Sequence, residues 1–254
     1  MKLFYRKTGH GPLIIILHGL FGSSDNWMSI AKKLSTTYSV ILPDLRNHGQ
    51  SPHEELFTYD AMVDDLKELV ETEDLGNFIL AGHSMGGKVA MQYAVQYPGN
   101  VQKLIVVDIA PKDYPVHHQL ILEGLCALPI DQIKSRNEAD ALLSNQVPDA
   151  GVRQFLLKNL KRKEDGFSWK MNLEVIEDNI DQVGVGLDQS VVSYVPALFI
   201  RGANSNYILD EDRVGIFRHF PKASIEDVAG ASHWVHAEKP DDVVNLFLNF
   251  GANP

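Results

Sequence analysis

The stretch Phe78-Ile79-Leu80-Ala81-Gly82-His83-Ser84-Met85-Gly86-Gly87-Lys88 decides the reading of this chain. An apolar run of the kind that forms a strand buried on both faces leads into Gly-x-Ser-x-Gly. The segment from Lys88 to Tyr97 then places Val89, Tyr93 and Tyr97 at helical spacing. A serine between strand and helix at this spacing predicts a nucleophile elbow, a turn so sharp that the flanking glycines must lack side chains. The helix after it aims its first amides at the serine, where they stabilise developing negative charge. Gly-x-Ser-x-Gly alone fixes only three positions in five. The strand before it and the helix after it make Ser84 the candidate nucleophile rather than an ordinary turn residue.

Outward from this turn, β-branched apolar runs alternate with amphipathic stretches, the pattern of strand-helix-strand units in a mostly parallel sheet with helices on both faces. The strand candidates are Leu13–Leu17, Ser39–Leu42, Phe78–Leu80, Leu104–Val107 and Ala197–Ile200, with Ala223–Val228 nearer an edge. Asp60–Thr72 carries Met62, Val63, Leu66, Leu69 and Val70 on one helical face, and Asp241–Phe250 predicts a terminal helix. The alternation breaks from about residue 111 to residue 194, which predicts a core of 1–110 and 195–254 and a helical cap of 111–194 within one domain. Val152, Phe155, Leu156 and Leu160 suggest one cap helix, and Ala139, Leu142 and Leu143 another. Phe167, Trp169, Met171 and Leu173 are read as cap packing. Loops at the carboxyl ends of parallel strands are where open α/β sheets bind ligands, so an insertion there shapes and dries a pocket.

A chain of 254 residues, 44% of them hydrophobic, has enough apolar material for such a core. Its net charge of -10 repels phosphate backbones, which excludes nucleic acid as an expected partner. The single cysteine, Cys126, permits no internal disulfide and is expected to be a small core residue. No segment has the length of a membrane span, and the mixed-charge start Met1–Lys7 lacks a long apolar run, so a cytoplasmic location is expected.

Nucleophilic chemistry at a serine needs amides for an oxyanion and a base for the hydroxyl proton. His18-Gly19-Leu20-Phe21-Gly22 follows the strongest strand, and its glycines let the chain approach closely. The backbone N–H groups of Leu20 and Met85 are the candidate oxyanion hole. Among ten histidines, His233 lies in Gly230-Ala231-Ser232-His233-Trp234, a loop between the last strand and the terminal helix, where it can reach the sheet edge that carries Ser84. His236 reads as a packing or capping residue, His18 as structural, and His83 points away from the elbow when Ser84 points out. His117 and His118 are adjacent, a spacing that does not put two ligands on one helix face, so no metal or cofactor is expected. The remaining histidines are read as surface residues.

With these residues in view, the chain resembles the α/β-hydrolases, and within them the small bacterial esterases of the YbfF type and related abhydrolase-domain proteins. The matching segments are His18–Ser23, Asp44-Leu45-Arg46-Asn47-His48-Gly49-Gln50-Ser51, Gly82–Lys88, Val107-Asp108-Ile109-Ala110-Pro111 and Gly230–Pro240. The resemblance implies the α/β-hydrolase fold and hydrolysis of small-molecule carboxylic esters, with acyl-coenzyme A thioesters as a further substrate class. Arg153, Lys158, Lys161, Arg162 and Lys163 are candidates by charge for the phosphates of such a thioester. Asp44–Ser51 is read as a polar structural loop in which Asp44 and Arg46 hold neighbouring backbone. The same fold also runs carbon–carbon bond hydrolysis and perhydrolysis, and a non-catalytic ligand receptor is the alternative from another class.

The acid of the triad departs from the commoner arrangement. Many α/β-hydrolases place it in a Gly-x-x-Asp turn after the strand corresponding to Ala197–Ile200, but here that turn is Gly202-Ala203-Asn204-Ser205-Asn206. Asp210 comes later, at the start of a predicted helix that it can cap. Asp108 follows the strand after the elbow helix and keeps the chain order Ser, Asp, His. The expected triad is therefore Ser84, Asp108 and His233, with a residue of the 204–210 turn as the other home for the acid.

Overall fold

Each β-branched run becomes a strand, and the side-chain period of two sorts its residues between two cores. The structure, a computed structural model, describes residues 1–116 and 118–252. Its strands are β1 (Tyr5–Thr8), β2 (Leu13–Leu17), β3 (Ser39–Pro43), β4 (Phe78–His83), β5 (Val101–Val107), β6 (Leu160–Arg162), β7 (Phe167–Trp169), β8 (Ala197–Gly202) and β9 (Ala223–Val228). All but β6 and β7 form one sheet in the order β1-β3-β2-β4-β5-β8-β9, parallel throughout except where β1 pairs with β3. The sequence expectation omits β1, a polar edge strand whose half-exposed Tyr5-Arg6-Lys7-Thr8 has no apolar run to reveal it.

On one face of the sheet, Ile15, Leu17, Leu80, Leu104 and Val106 pack with helices α2 (Tyr59–Thr72) and α3 (Met85–Gln96). On the other, Ile14, Ile16, Ile79, Ile105 and Val107 meet Ile30 and Leu34 of α1 (Met28–Leu34) and Val243 and Phe247 of α11 (Pro240–Ala252), which follows the short α10 (Val235–Glu238). Burial on both faces is why these strands read as continuous apolar runs; each such side chain contributes roughly 1.5–3 kcal/mol relative to exposure. Among the described residues no helix is long and apolar enough to cross a membrane.

Residues 111–194 lie between the adjacent parallel strands β5 and β8. They hold α4 (Gln119–Cys126), α5 (Arg136–Leu143), α6 (Ala150–Leu157), α7 (Leu173–Asp178), α8 (Ile180–Gly184) and the antiparallel hairpin β6–β7. The segment is helix-rich, as expected, and the hairpin is the part that the sequence reading does not include. Leu160 does not continue α6; it opens β6 opposite Trp169, and Phe167 and Trp169 alternate because they lie on a strand. Phe167, Met171 and Leu173 are buried in the core, as expected of packing residues, whereas Cys126 is exposed, with its thiol 3.3 Å from Glu177. The eight-residue α4 turns Leu122 and Leu125 inward and leaves Cys126 on the outer face.

Buried polar groups fasten the loops to this frame. Lys88 of α3, 1% exposed, donates from Nζ to the carbonyl oxygens of Lys112 and of Val185 (2.8 Å) and sits 5.0 Å from the Tyr114 ring centroid. It thus ties both ends of the inserted segment to the helix behind Ser84, and burial pushes its pKa down to about 7. In the Asp44–Ser51 loop, Asp44 accepts the amides of Ser24 (2.6 Å) and Gln50 (2.8 Å), which is the structural role expected of it. Arg46 donates to the carbonyls of Leu56 and Ala61 and forms a two-pronged pair with Asp65, at 2.6 and 2.8 Å.

Removing one partner of such a buried pair strands the other charge, at about 3–5 kcal/mol. Because Asp65 also holds the Met1 amino group at 2.8 Å, the variant that strands a charge is Asp65→Leu, which leaves the Arg46 guanidinium without a carboxylate and should lower stability in urea unfolding by about that amount. The double variant Arg46→Met/Asp65→Leu should recover a large part of the loss.

Candidate active site

The carboxyl ends of β4, β5 and β8 are level, and this brings the candidate residues together. His83 lies opposite Val107, and Val107 opposite Ile200. The next residue of each strand continues the ladder: the Ser84 amide donates to Val107 (3.1 Å) and the Asp108 amide to Ile200 (2.8 Å). Ser84 and Asp108 thus leave neighbouring strands at one edge, and both adopt positive φ, 52° in each case. For a residue with a side chain this left-handed conformation is strained by about 1–3 kcal/mol, and such strain gathers at functional sites. A Cβ at Gly82 would clash with the Gly86 carbonyl, and one at Gly86 with the His18 carbonyl, which is why the elbow needs both glycines.

Met85 is the first residue of α3, so its amide has no acceptor within the helix. The facing loop is held by two buried histidines. His18 donates from Nδ1 to Gly19 O (2.8 Å) and accepts the Leu45 amide at Nε2 (2.9 Å), the structural role expected for it. His48 donates from Nδ1 to Arg46 O (2.9 Å) and accepts the Phe21 amide at Nε2 (3.2 Å). Burial pushes the His48 pKa down to about 3, so it stays a neutral acceptor. Asn159 of the inserted segment donates to Phe21 O (2.7 Å) from the other side. Among the described residues no protein group accepts the Leu20 amide. His48 corrects the expectation that the remaining histidines are surface residues, as does the buried His219, whose Nδ1 donates to Val191 O (2.9 Å).

Asp108 is fully buried. Its Oδ1 accepts the Gly202 amide (2.9 Å), and its Oδ2 accepts both the Ser205 hydroxyl and Nδ1 of His233 (2.8 Å). Burial pushes the Asp108 carboxyl up to about 6, while Ser205, Gly202 and the Arg201 charge pull the other way. His233 is also held through its carbonyl, which accepts Nε2–H of His83 (2.8 Å), and through its ring, stacked on Tyr207 at 3.6 Å and 14°. His236 is buried and stacks on Trp27 at 4.6 Å, a packing role as expected. His118 flanks Phe21, and His117 lies outside the described residues.

Asp210 does not reach this cluster. Its side chain is 83% exposed and pairs with Arg201 at 2.8 Å, and the helix that follows, α9 (Asp212–His219), uses Glu211 rather than Asp210 as its cap residue. Ser205 and Tyr207 join the cluster without a sequence signal, because a hydroxyl and a ring are ordinary in a turn and neither supplies the carboxylate that a triad calls for. The hydrogen-bonded imidazole and carboxylate of His233 and Asp108 thus lie at the strand edge that carries Ser84. Among the described residues no three His, Cys, Asp or Glu side chains converge as metal ligands.

Among the described residues, a cavity and a cleft border this cluster. A cavity of about 20 Å³ is lined by Ser84, Met85, Tyr59, Ile109, Tyr114 and Val183 among others. A cleft of about 820 Å³ is lined by His233, Trp234, Phe155, Lys158 and the 204–207 turn. Tyr207 borders both.

The α/β hydrolase fold family model matches residues 12–137. The chain is 40% identical to the sn-1-specific diacylglycerol lipase ABHD11 of Xenopus tropicalis, over 97% of this chain and 80% of that protein. It is 38% identical to Esterase YbfF of Escherichia coli (strain K12), over 93% of this chain and 92% of that one. The solved structure of a marine microorganism esterase is 42% identical, with a TM-score of 0.95 and coverage of 98% of this chain and 99% of its own. Fold, strand order and these similarities agree: the chain belongs to the α/β-hydrolase family.

Proposed function

We propose that this protein is a serine hydrolase that cleaves carboxylic esters through an acyl-enzyme on Ser84. The observation that carries the reading is the 2.8 Å hydrogen bond from His233 Nδ1 to the buried Asp108, beside the strained turn of Ser84. With Nδ1 protonated and held, the imidazole has its lone pair on Nε2, which takes the Ser84 proton as Oγ attacks the carbonyl carbon. The ester oxygen leaves with that proton as alcohol; water then attacks the acyl-enzyme by the same relay and releases the acid and Ser84. The amides of Leu20 and Met85 stabilise the oxyanion, and the bracing of the loop by His48 and Asn159 fixes the aim of the Leu20 amide. Residues 111–194 act as a cap, pinned by Lys88 and Asn159, that limits water at the site.

Esters are favoured over acyl-coenzyme A thioesters because the candidate cations do not gather at the cleft. Lys158 lines it, but Arg153 is paired with Asp140 at 2.9 Å, and Lys161 and Arg162 belong to the β6–β7 hairpin.

A fluorophosphonate probe should label Ser84, and Ser84→Ala should abolish both labelling and ester turnover. His233→Ala should lower kcat by a factor of about 10⁴, whereas His236→Ala should stay within about tenfold of wild type. The reverse ranking would assign the base to His236.

Asp108→Asn should likewise lose about 10⁴ in kcat, because an amide cannot stabilise the imidazolium by charge; Asp210→Asn should lose little. Because the folded pKa of Asp108, about 6, lies above its ordinary value of 3.8, activity should fall as the pH drops below 6. Stability moves the other way. A raised carboxyl pKa contributes stability that is present in acid and lost as the pH rises through 6. Asp108→Asn escapes that loss, so its thermal midpoint at pH 8 should be no lower than that of the wild type.

A further inference from the structure

The two spaces at the cluster differ about forty-fold in size, and the proposed chemistry assigns a part of the ester to each. When the C–O bond breaks, the alkoxide oxygen must receive its proton from His233, so the alcohol occupies the side that His233 lines, the cleft of about 820 Å³. The acyl substituent then enters the space that Ser84 itself lines, the cavity of about 20 Å³. A void needs about 10–15 Å³ by such a measure to admit one water-sized group, so this one has room for a methyl or ethyl.

Its walls are tied in place. Tyr59 donates to the carbonyl of Val183 (2.7 Å). The Tyr114 hydroxyl accepts the Ala110 amide (2.9 Å) and donates to the Tyr207 carbonyl, and the Tyr114 amide donates to Gly184 O (2.8 Å). The cavity floor therefore joins the segment after β5, α2, α8 and the 202–207 turn into one hydrogen-bonded unit, and a longer chain would have to break it. The cleft is built differently: Phe155 and Trp234, with ring centroids 4.3 Å apart, present an aromatic wall beside His233.

Resting on the hydrolase reading above, we infer that the site selects esters joining a short acyl group, acetyl to propionyl, to a bulky aromatic alcohol. Overfilling a packed site by a few methylenes costs enough to lower kcat/KM about tenfold or more.

The test uses two substrate series. With 4-nitrophenol as constant leaving group, acetate and propanoate should exceed hexanoate in kcat/KM by about tenfold or more. With acetyl as constant acyl group and alcohols of similar acidity, 2-naphthylmethyl acetate should exceed ethyl acetate by a comparable factor. Ile180→Ala, which trims the cavity wall, should narrow the acetate-to-hexanoate ratio, and Phe155→Ala should narrow the naphthylmethyl-to-ethyl ratio while leaving the acyl ratio in place. Hexanoate turned over as well as acetate by the wild type overturns the inference and leaves the hydrolase reading standing. Absence of both turnover on every ester and phosphonate labelling of Ser84 overturns the hydrolase reading and this inference with it.

Discussion

Taking the Asp108 carboxylate out of water is costly, and the surrounding structure is arranged to offset that cost. A backbone amide, a hydroxyl and an imidazole, drawn from β8, from the turn after it and from the loop after β9, meet its two oxygens. These donors can converge only because the parallel strands end level, so that one residue past β5 lies beside one residue past β4 and against the last residue of β8. A slip of β5 by one residue would turn Asp108 to the other face of the sheet and remove the partner of His233. The proposed activity thus depends on register, which the two apolar cores set.

The inserted segment is coupled to the same edge by polar contacts rather than by a large apolar seam alone. Lys88 holds the carbonyls of Lys112 and Val185 from the helix that begins at the elbow, and Asn159 holds the carbonyl of Phe21 next to the candidate oxyanion amide. Both side chains are buried, so loosening the segment would leave an ammonium group or an amide without partners. A segment fastened in this way keeps its geometry against the core.

Much of this was legible in the sequence where a physical signal is strong and local. Strands buried on both faces announce themselves by composition, and the elbow by glycines whose replacement would collide with backbone. The hydrogen-bonded pairing of His233 with Asp108 was legible because chain order and strand ends restrict where partners can lie, and because Gly202–Asn206 holds no carboxylate. What stayed hidden has no period to read. The edge strand β1 is polar, the β6–β7 strands are three residues each, and His48 and Asn159 act through single hydrogen bonds to a loop distant in sequence. Tyr207 is an apolar-looking ring, and its stacking on His233 leaves no mark in the sequence.

The central claim is that Asp108, and no residue of the 204–210 turn, holds the Nδ1 proton of His233. Proton NMR of the protein with a phosphonate on Ser84 reads that bond directly, because a proton shared between an imidazolium and a buried carboxylate resonates far downfield and exchanges slowly. The account predicts this resonance in the wild type and in Asp210→Asn, and its loss in a folded, phosphonylated Asp108→Asn protein. A downfield His233 proton that persists in Asp108→Asn would contradict it.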